Sequence, residues 1–280
     1  MRKNIPKSDI DSDDASNDKL RSRYLQSVMR RSDKSIGSEP SESLPLKLIQ
    51  YWDESDIPPD VQRCLDSWLV TESLGFERLI FNKQQARAFI EDHYNVSHLL
   101  AFDSCTHPAM RSDYFRLCYL LQNGGLYVDA DDELKEPAAI LYLTRNSRLK
   151  LQPLCYQLST DSMVVPADHV GDTTDDFIFY ANNDPIFAPV NHPVLDAALV
   201  QATKRLVAAN GASRDIQWLA GPGNLSEVLV RHALLMEKSD VQPDFEFVHS
   251  WGEIAPGDWN LAYRKDARNW RQWVKGDVSR

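Results

Sequence analysis

The sequence predicts an α/β layered fold with a mainly parallel central sheet flanked by helices. Three observations predict it. Strand-like and helix-like apolar runs alternate through the first half of the chain, turn or cap residues mark the switches, and 280 residues at 42% hydrophobic content supply one large core or two small ones. A chain of this size buries roughly 70–75% of its unfolded surface, so neither a disulfide nor a structural metal is needed for stability.

Taken in order, residues 46–52 (LKLIQYW) read as a strand, ended by an acidic, proline-rich turn from Asp53 to Pro59. Val61, Cys64, Leu65, Trp68 and Leu69 recur at i, i+3, i+4, i+7 and i+8, one face of a helix. Residues 76–81 form a second strand, 83–93 a helix, and 99–102 a short apolar segment. A helix over 113–122 carries Tyr114, Leu117, Cys118 and Leu121 as its buried stripe. Ser112 or Asp113 caps its start, and Asn123-Gly124-Gly125 ends it through a left-handed residue. Residues 126–128 follow as a strand running into Asp129-Ala130-Asp131.

Beyond residue 150 the pattern is less regular. Residues 177–181 and 186–189 read as short strands around Asn182, Asn183 and Asp184, and 193–209 as a helix. The turn 221–224 opens a helix through Met236, and 245–249 is a late strand; there is no internal repeat. Residues 1–43 are rich in Ser, Asp, Lys and Arg and read as a disordered or loosely helical segment, a solvated tail being the simpler form. Residues 44–280 form the folded domain.

The formal net charge is −10. That argues against a nucleic-acid partner, and an acidic protein meets a polyphosphate only if a cation or a local arginine cluster neutralises it. Cys64, Cys105, Cys118 and Cys155 form no CxxC pair and no zinc-type cluster, so buried thiols in a reducing compartment are expected. The first residues lack an apolar h-region, and no apolar run approaches the roughly 20 residues of a transmembrane helix. The expectation is a cytoplasmic protein, with a place at the inner face of a membrane left open.

The chemistry concentrates between Ser112 and Asp131. An acid-x-acid pair alone is weak, since 41 acidic residues in 280 give about six by chance, mostly on solvated faces. Here the two carboxylates end an apolar strand, where residues two apart share a side, and ligands of open α/β sheets bind just beyond the carboxyl ends of strands. Mg²⁺ or Mn²⁺ takes one or two carboxylates plus phosphate and water oxygens. Without such an ion the pair repels a diphosphate by roughly 4 kcal/mol per charge pair at 4 Å and an effective dielectric of about 20. Asp113 and Arg116, at i and i+3, face the same way. They form either a surface-type ion pair worth a few tenths of a kcal/mol or a site in which Asp113 accepts from sugar hydroxyls and Arg116 reaches the donor.

The compound pattern Ser112-Asp113…Arg116…Gly124-Gly125…Tyr127…Asp129…Asp131 resembles the glycosyltransferases with a DXD-containing sugar-binding region, glycosyltransferase family 32. That family includes yeast-type initiating mannosyltransferases and is akin to the catalytic domains of large clostridial toxins. The resemblance spans roughly residues 44–260. Leu48-Ile49-Gln50-Tyr51-Trp52 with the following Pro-Pro looks like the family's opening strand, with Ile49 where the family usually has His, and Gly221-Pro222-Gly223 looks like a later turn.

The resemblance implies a GT-A fold, a UDP- or GDP-linked sugar donor, a Mn²⁺ or Mg²⁺ ion, retention of anomeric configuration and a role such as polysaccharide biosynthesis. It implies that Asp129 and Asp131 serve metal and donor, that Asp113 and Arg116 hold the sugar, and that Tyr127, Trp52 and Gln50 lie at the nucleotide. His249-Ser250-Trp251 resembles the loop that closes over the diphosphate, with His249 either a metal ligand or a structural histidine. The acceptor would be a glycan, a lipid-linked glycan or a protein. The aromatic and basic C-terminus (Trp270, Trp273, Arg264, Arg268, Arg271) either packs as an amphipathic helix or helps hold that acceptor, a peripheral membrane contact included. Two rival readings are a haloacid-dehalogenase-like phosphohydrolase, which also places DxD after a strand, and a non-catalytic carbohydrate-binding protein.

Overall fold

The computed structural model describes residues 17–32, 43–173, 175–257 and 260–275. Of the segment 1–43, expected to be disordered or loosely helical, residues 1–16 and 33–42 lie outside the described residues, and residues 18–32 form a packed helix rather than a solvated tail. Asp18–Ser32 (α1) is a 15-residue helix whose Tyr24, Leu25, Val28 and Met29 are buried in the main core. Those positions make one helical stripe, and burying it offsets the ordering entropy that the charged composition alone would not.

Lys47–Tyr51 (β1) forms where a strand was expected, followed by Pro59–Ser67 (α2), Val70–Ser73 (α3) and Glu77–Phe81 (β2). Lys83–His93 (α4) is capped by a reciprocal Asn82–Gln85 box. The apolar segment at 99–102 belongs to a helix, Val96–Asp103 (α5), begun by the Asn95 side chain.

The helix expected at 113–122 starts earlier, as Pro108–Asn123 (α6). Pro108 fills the first turn, where its missing N–H is harmless, and the His107 imidazole accepts the Ala109 N–H at 3.1 Å. Ser112 and Asp113 are therefore inside the helix rather than capping it.

Gly125–Tyr127 (β3) follows, then Pro137–Leu143 (α7), Leu149–Gln157 (β4), Ser162–Val164 (β5) and Pro166–His169 (α8). The chain continues through Phe177–Ala188 (β6), Pro193–Ala209 (α9), Ile216–Leu219 (α10), Pro222–Lys238 (α11) and Phe245–Phe247 (β7). Trp251–Ile254 (α12), a 3₁₀ turn at Ala262–Lys265 and Trp270–Lys275 (α13) complete it.

The α/β class holds, with helices packed on a central sheet ordered β2-β1-β3-β6-β4-β5 and β7 beside β4. β1 is parallel to β2 and to β3, and β4 to β7, while β6 runs antiparallel to both β3 and β4, and β5 antiparallel to β4. The parallel part carries the first-half crossovers; the antiparallel part comes from the less regular second half.

β6 is one strand rather than two. Its ladder with β4 shifts between Leu151↔Ile186 and Pro153↔Ala181. The shift releases residues 182–185 from regular pairing and points polar groups at the end of β3. Beyond the reach of β3, the open edge of β6 is satisfied by hydroxyls. Ser22 accepts the Phe179 N–H at 2.9 Å, and Ser226 accepts the Ala181 N–H at 2.9 Å. All four cysteines are free and buried, as expected.

The hinge between α6 and β3 uses two glycines. Gly124 (φ 62) and Gly125 (φ 105) occupy backbone regions that side chains rarely adopt, and a Cβ on Gly125 would come within 2.5 Å of the Lys47 carbonyl oxygen. Left-handed strain costs roughly 1–2 kcal/mol before any clash. Gly125→Ala should therefore lower the thermal midpoint by several degrees or prevent accumulation of folded protein; an unchanged midpoint would refute this account of the hinge.

Candidate active site

The site forms where α6, the end of β3 and the irregular stretch of β6 converge. Arg116 is its hub, with only 2% of its surface exposed. Its Nη2 donates to Asp129 Oδ1 at 2.9 Å and to Ser112 Oγ at 3.0 Å, and it lies 3.0 Å from Asp113 Oδ1. Nη1 donates to the Asn183 carbonyl at 2.5 Å, and Nε to the Ser112 carbonyl at 3.3 Å. The guanidinium also stacks on the Tyr127 ring, 4.1 Å from its centroid. Burial alone pulls its pKa down, but Asp129, Tyr127 and Asp113 outweigh that and hold it above the ordinary arginine value.

Tyr127 is fully buried and donates from its hydroxyl to Asp129 Oδ1 at 3.0 Å, with Ser112 Oγ 2.6 Å away. It therefore orients an acidic side chain from below rather than packing on a nucleotide. Gln50 is also fully buried, its amide oxygen accepting from Arg78 Nε at 3.3 Å, and it does not line the cavity described below.

After Tyr127 the chain leaves the extended conformation, since the Asp132 N–H bonds the Asp129 carbonyl at 3.3 Å. The acidic pair thus sits on a tight turn, and the turn brings in a third carboxylate. Asp132 is buried, with Trp251 Nε1 donating to Oδ2 at 3.0 Å and Trp68 Nε1 to its carbonyl at 2.9 Å. A fourth comes from β6: Asp184 Oδ1 accepts the Asp129 N–H at 2.9 Å. Asp131 accepts from the Tyr263 hydroxyl and from Arg264.

Burial pushes the Asp132 and Asp184 carboxyls well above the usual carboxylate range, and the neighbouring carboxylates push the same way. Asp131 is raised too, by burial first and Asp129 next, with Arg264 opposing. Four carboxylates thus crowd a corner that Arg116 and Arg264 only partly neutralise.

A cavity of about 600 Å³ opens beside this corner. Trp52, Asp113, Arg116, Asp129, Asp131, Asp132, Asp184 and Trp251 line it, together with Tyr180, Tyr263, Arg264, Trp270 and Arg271. The Asp129 side chain, 37% exposed, faces this space. Trp52 meets Tyr263 edge-on, with ring centroids 5.2 Å apart. His249 is exposed and not part of the lining, so the structure does not bring it to the acidic pair. Trp273 packs on His107 instead of joining Trp270 at the cavity.

The donor set suits a hard divalent cation, because every candidate ligand in the corner is a carboxylate oxygen. Among the described residues no group of three or more His, Cys, Asp or Glu is arranged to hold a metal by itself. Asp129 and Asp131 would therefore supply the protein share, with the remaining positions left to phosphate and water oxygens, a common Mg²⁺ arrangement.

Read alone, the sequence assigned no role to Asp132 and Tyr263, placed Arg264 only in the basic C-terminus, and put Asn183 and Asp184 between two short strands. One usable signal was present: three consecutive polar residues, 182–184, interrupt an otherwise apolar run.

Burial also raises Asp113, to about 6; an unfolded chain has about 3.9. Between those values the folded protein holds a proton that the unfolded chain has released. The stability contributed by the protonated form is complete below about pH 4 and is lost as pH rises through about 6. In urea denaturation, wild-type stability relative to Asp113→Asn should fall as pH is raised across this window, and parallel curves would contradict the assignment. Arg116→Gln leaves Asp113 and Asp129 uncompensated and should cost about 3–5 kcal/mol in the same measurement.

Residues 58–150, from α2 through the acidic turn, match the model of the glycosyltransferase sugar-binding region containing DXD motif. No curated protein matches the chain. Among solved structures it is similar to the PaToxG glycosyltransferase, at 14% identity and a TM-score of 0.45, over 95% of this chain and 97% of that one. It is also similar to the catalytic domain of alpha-toxin from Clostridium novyi, at 10% identity and a TM-score of 0.41, over 89% of this chain and 82% of that one. The stretch that carries the turn 129–132 of the acidic corner thus matches a glycosyltransferase sugar-binding region containing the DXD motif.

Proposed function

We propose that the chain is a retaining, metal-dependent hexosyltransferase of GT-A type, moving a hexose from a UDP- or GDP-linked donor to a hydroxyl of a glycan, lipid-linked glycan or protein. The observation that carries this reading is the acidic turn 129–132 at the carboxyl end of β3, facing a cavity large enough for a nucleotide-sugar. An acidic protein with its carboxylates gathered there needs a cation to admit a diphosphate.

Asp129 and Asp131 would hold Mn²⁺ or Mg²⁺, which when bound supplies positive charge for the departing diphosphate. Arg116 acts through Asp129, fixing its orientation by the Nη2 bond to Oδ1 at 2.9 Å. Asp113 keeps one oxygen on the Asn183 amide at 2.8 Å and offers the other to a sugar hydroxyl. Trp52 supplies an apolar face for the base at the cavity mouth. Retention follows from delivering the acceptor hydroxyl to the face the diphosphate leaves, its proton passing to the leaving phosphate. Among the described residues no helix is long and apolar enough to cross a membrane, and the proposed setting is cytoplasmic, with contact to a membrane-borne acceptor.

The test is a panel of UDP-hexoses and GDP-mannose with purified full chain, with and without Mn²⁺, reading release of nucleoside diphosphate and thermal stabilisation. One nucleotide series should be consumed in a Mn²⁺-dependent way, and Asp129→Ala and Asp131→Ala should each lower turnover by roughly 10²–10³-fold. Cleavage of simple phosphate esters without nucleoside diphosphate release would mark a phosphohydrolase. Stabilisation by UDP or GDP with no turnover of any donor would mark a non-catalytic binder.

A further inference from the structure

The cavity is rich in carboxylates, and its cations are not equivalent. Arg116 comes from the core helix α6, where Ser112, Asp113, Asn183 and Asp129 hold all three of its nitrogens. Arg268 is paired with Asp266 at 2.8 Å, and Arg271 lies over the Trp270 ring at 4.6 Å. Arg264 is different: it reaches into the acidic corner and pairs with Asp131, one of the two carboxylates expected to hold the cation.

Arg264 rides on the short 3₁₀ turn Ala262–Lys265, outside the sheet and the main helices. That turn is fastened at the cavity rim by the Ala262 N–H to Asp60 Oδ2 at 2.6 Å and by Tyr263 against Trp52. Gly257 lies beside the pair: a Cβ there would be tight against Asp132 Oδ1 at 3.2 Å and in ordinary contact with Arg264 Nη2 at 3.8 Å. The guanidinium thus holds a place at Asp131 that a divalent cation would contest, while standing beside the volume a diphosphate would fill.

We infer that Arg264 is a substrate-contacting residue of the transfer reaction: it neutralises Asp131 in the metal-free protein and, when a divalent cation takes that carboxylate, turns its N–H fork to the phosphoryl oxygens of the donor. The inference rests on the nucleotide-sugar reading above. A doubly charged ion displaces a guanidinium from one carboxylate at a net gain of charge, and the displaced guanidinium needs an anion within reach. Arginine matches phosphate with two parallel N–H donors, which lysine cannot do. The exchange makes cation and diphosphate binding interdependent, and it keeps Asp131 from standing buried and unpaired between turnovers.

The experiment measures Mn²⁺ affinity by calorimetry on the full chain without nucleotide, then UDP and GDP affinity at saturating Mn²⁺, for wild type, Arg264→Gln and Arg264→Lys. Arg264→Gln should bind Mn²⁺ about 3–10-fold more tightly, its competitor being gone, yet bind the nucleoside diphosphate about 10-fold or more weakly. Arg264→Lys should restore Mn²⁺ competition but only part of diphosphate affinity. Wild-type values for both ligands in Arg264→Gln, or a parallel loss of both, would overturn the inference. Should Arg264→Gln fail to fold, diphosphate affinity in Arg264→Lys equal to that of wild type would overturn it. Asp129→Ala separates this from the parent reading: if it keeps Mn²⁺ binding and donor turnover, the metal-dependent transfer itself is wrong.

Discussion

Arg116 is a full positive charge held almost entirely away from water, and its cost is offset by partners on all three of its nitrogens. Those partners come from three separate parts of the chain: Ser112 and Asp113 on α6, Asp129 after β3, and Asn183 on β6. A buried cation tolerates little displacement, so it fixes the relative positions of all three. The DXD turn is rigid on one side for this reason, and the irregular stretch of β6 is drawn to the same point. Tyr127 adds a ring beneath the guanidinium and a hydroxyl to the same Asp129 oxygen. Arg116 and Tyr127, which resembled donor contacts in the sequence, are in the fold the support of Asp129, whose side chain faces the cavity.

The opposite side of the corner is built on a different principle. Asp132 and Asp184 are buried beside each other, with carboxyls pushed up by burial and by the neighbouring carboxylates. Neutral donors sit around them, the indoles of Trp68 and Trp251.

How much of this could be read from the sequence follows from range. α4 and α9 occur over the expected residues because their apolar periodicity and their caps are local. α5 is apolar on several sides at once, so periodicity could not separate it from a strand. α1 was obscured by its charged neighbours, although its stripe was visible; its partner surface, the open edge of β6, lies more than 150 residues away. β4 contains Pro153 and pairs through an irregular register, which removes the alternation that marks a strand. In the site, Asp113, Arg116, Asp129 and Asp131 stood out because α6, two glycines and β3 are consecutive. Arg264 and Asp184 could not stand out, because their meaning is set by a carboxylate far off in sequence.

That division has a consequence for how the site is assembled. The crowded carboxylates are delivered by two segments: the turn after β3 and the shifted stretch of β6. Their repulsion is contained from two directions, by Arg116 inside the core and by Arg264 at the rim. The inner guanidinium is locked by four hydrogen bonds and an ion pair, whereas the rim guanidinium comes on a turn that the sheet does not hold. On the reading proposed above, an anionic donor meets an inner cation held by the core and rim cations of which Arg264 touches the acidic pair. The electrostatic asymmetry lies in the scaffold itself and would give the cavity a direction, negative charge entering from the Arg264 side and coming up against the carboxylates as a cation joins them.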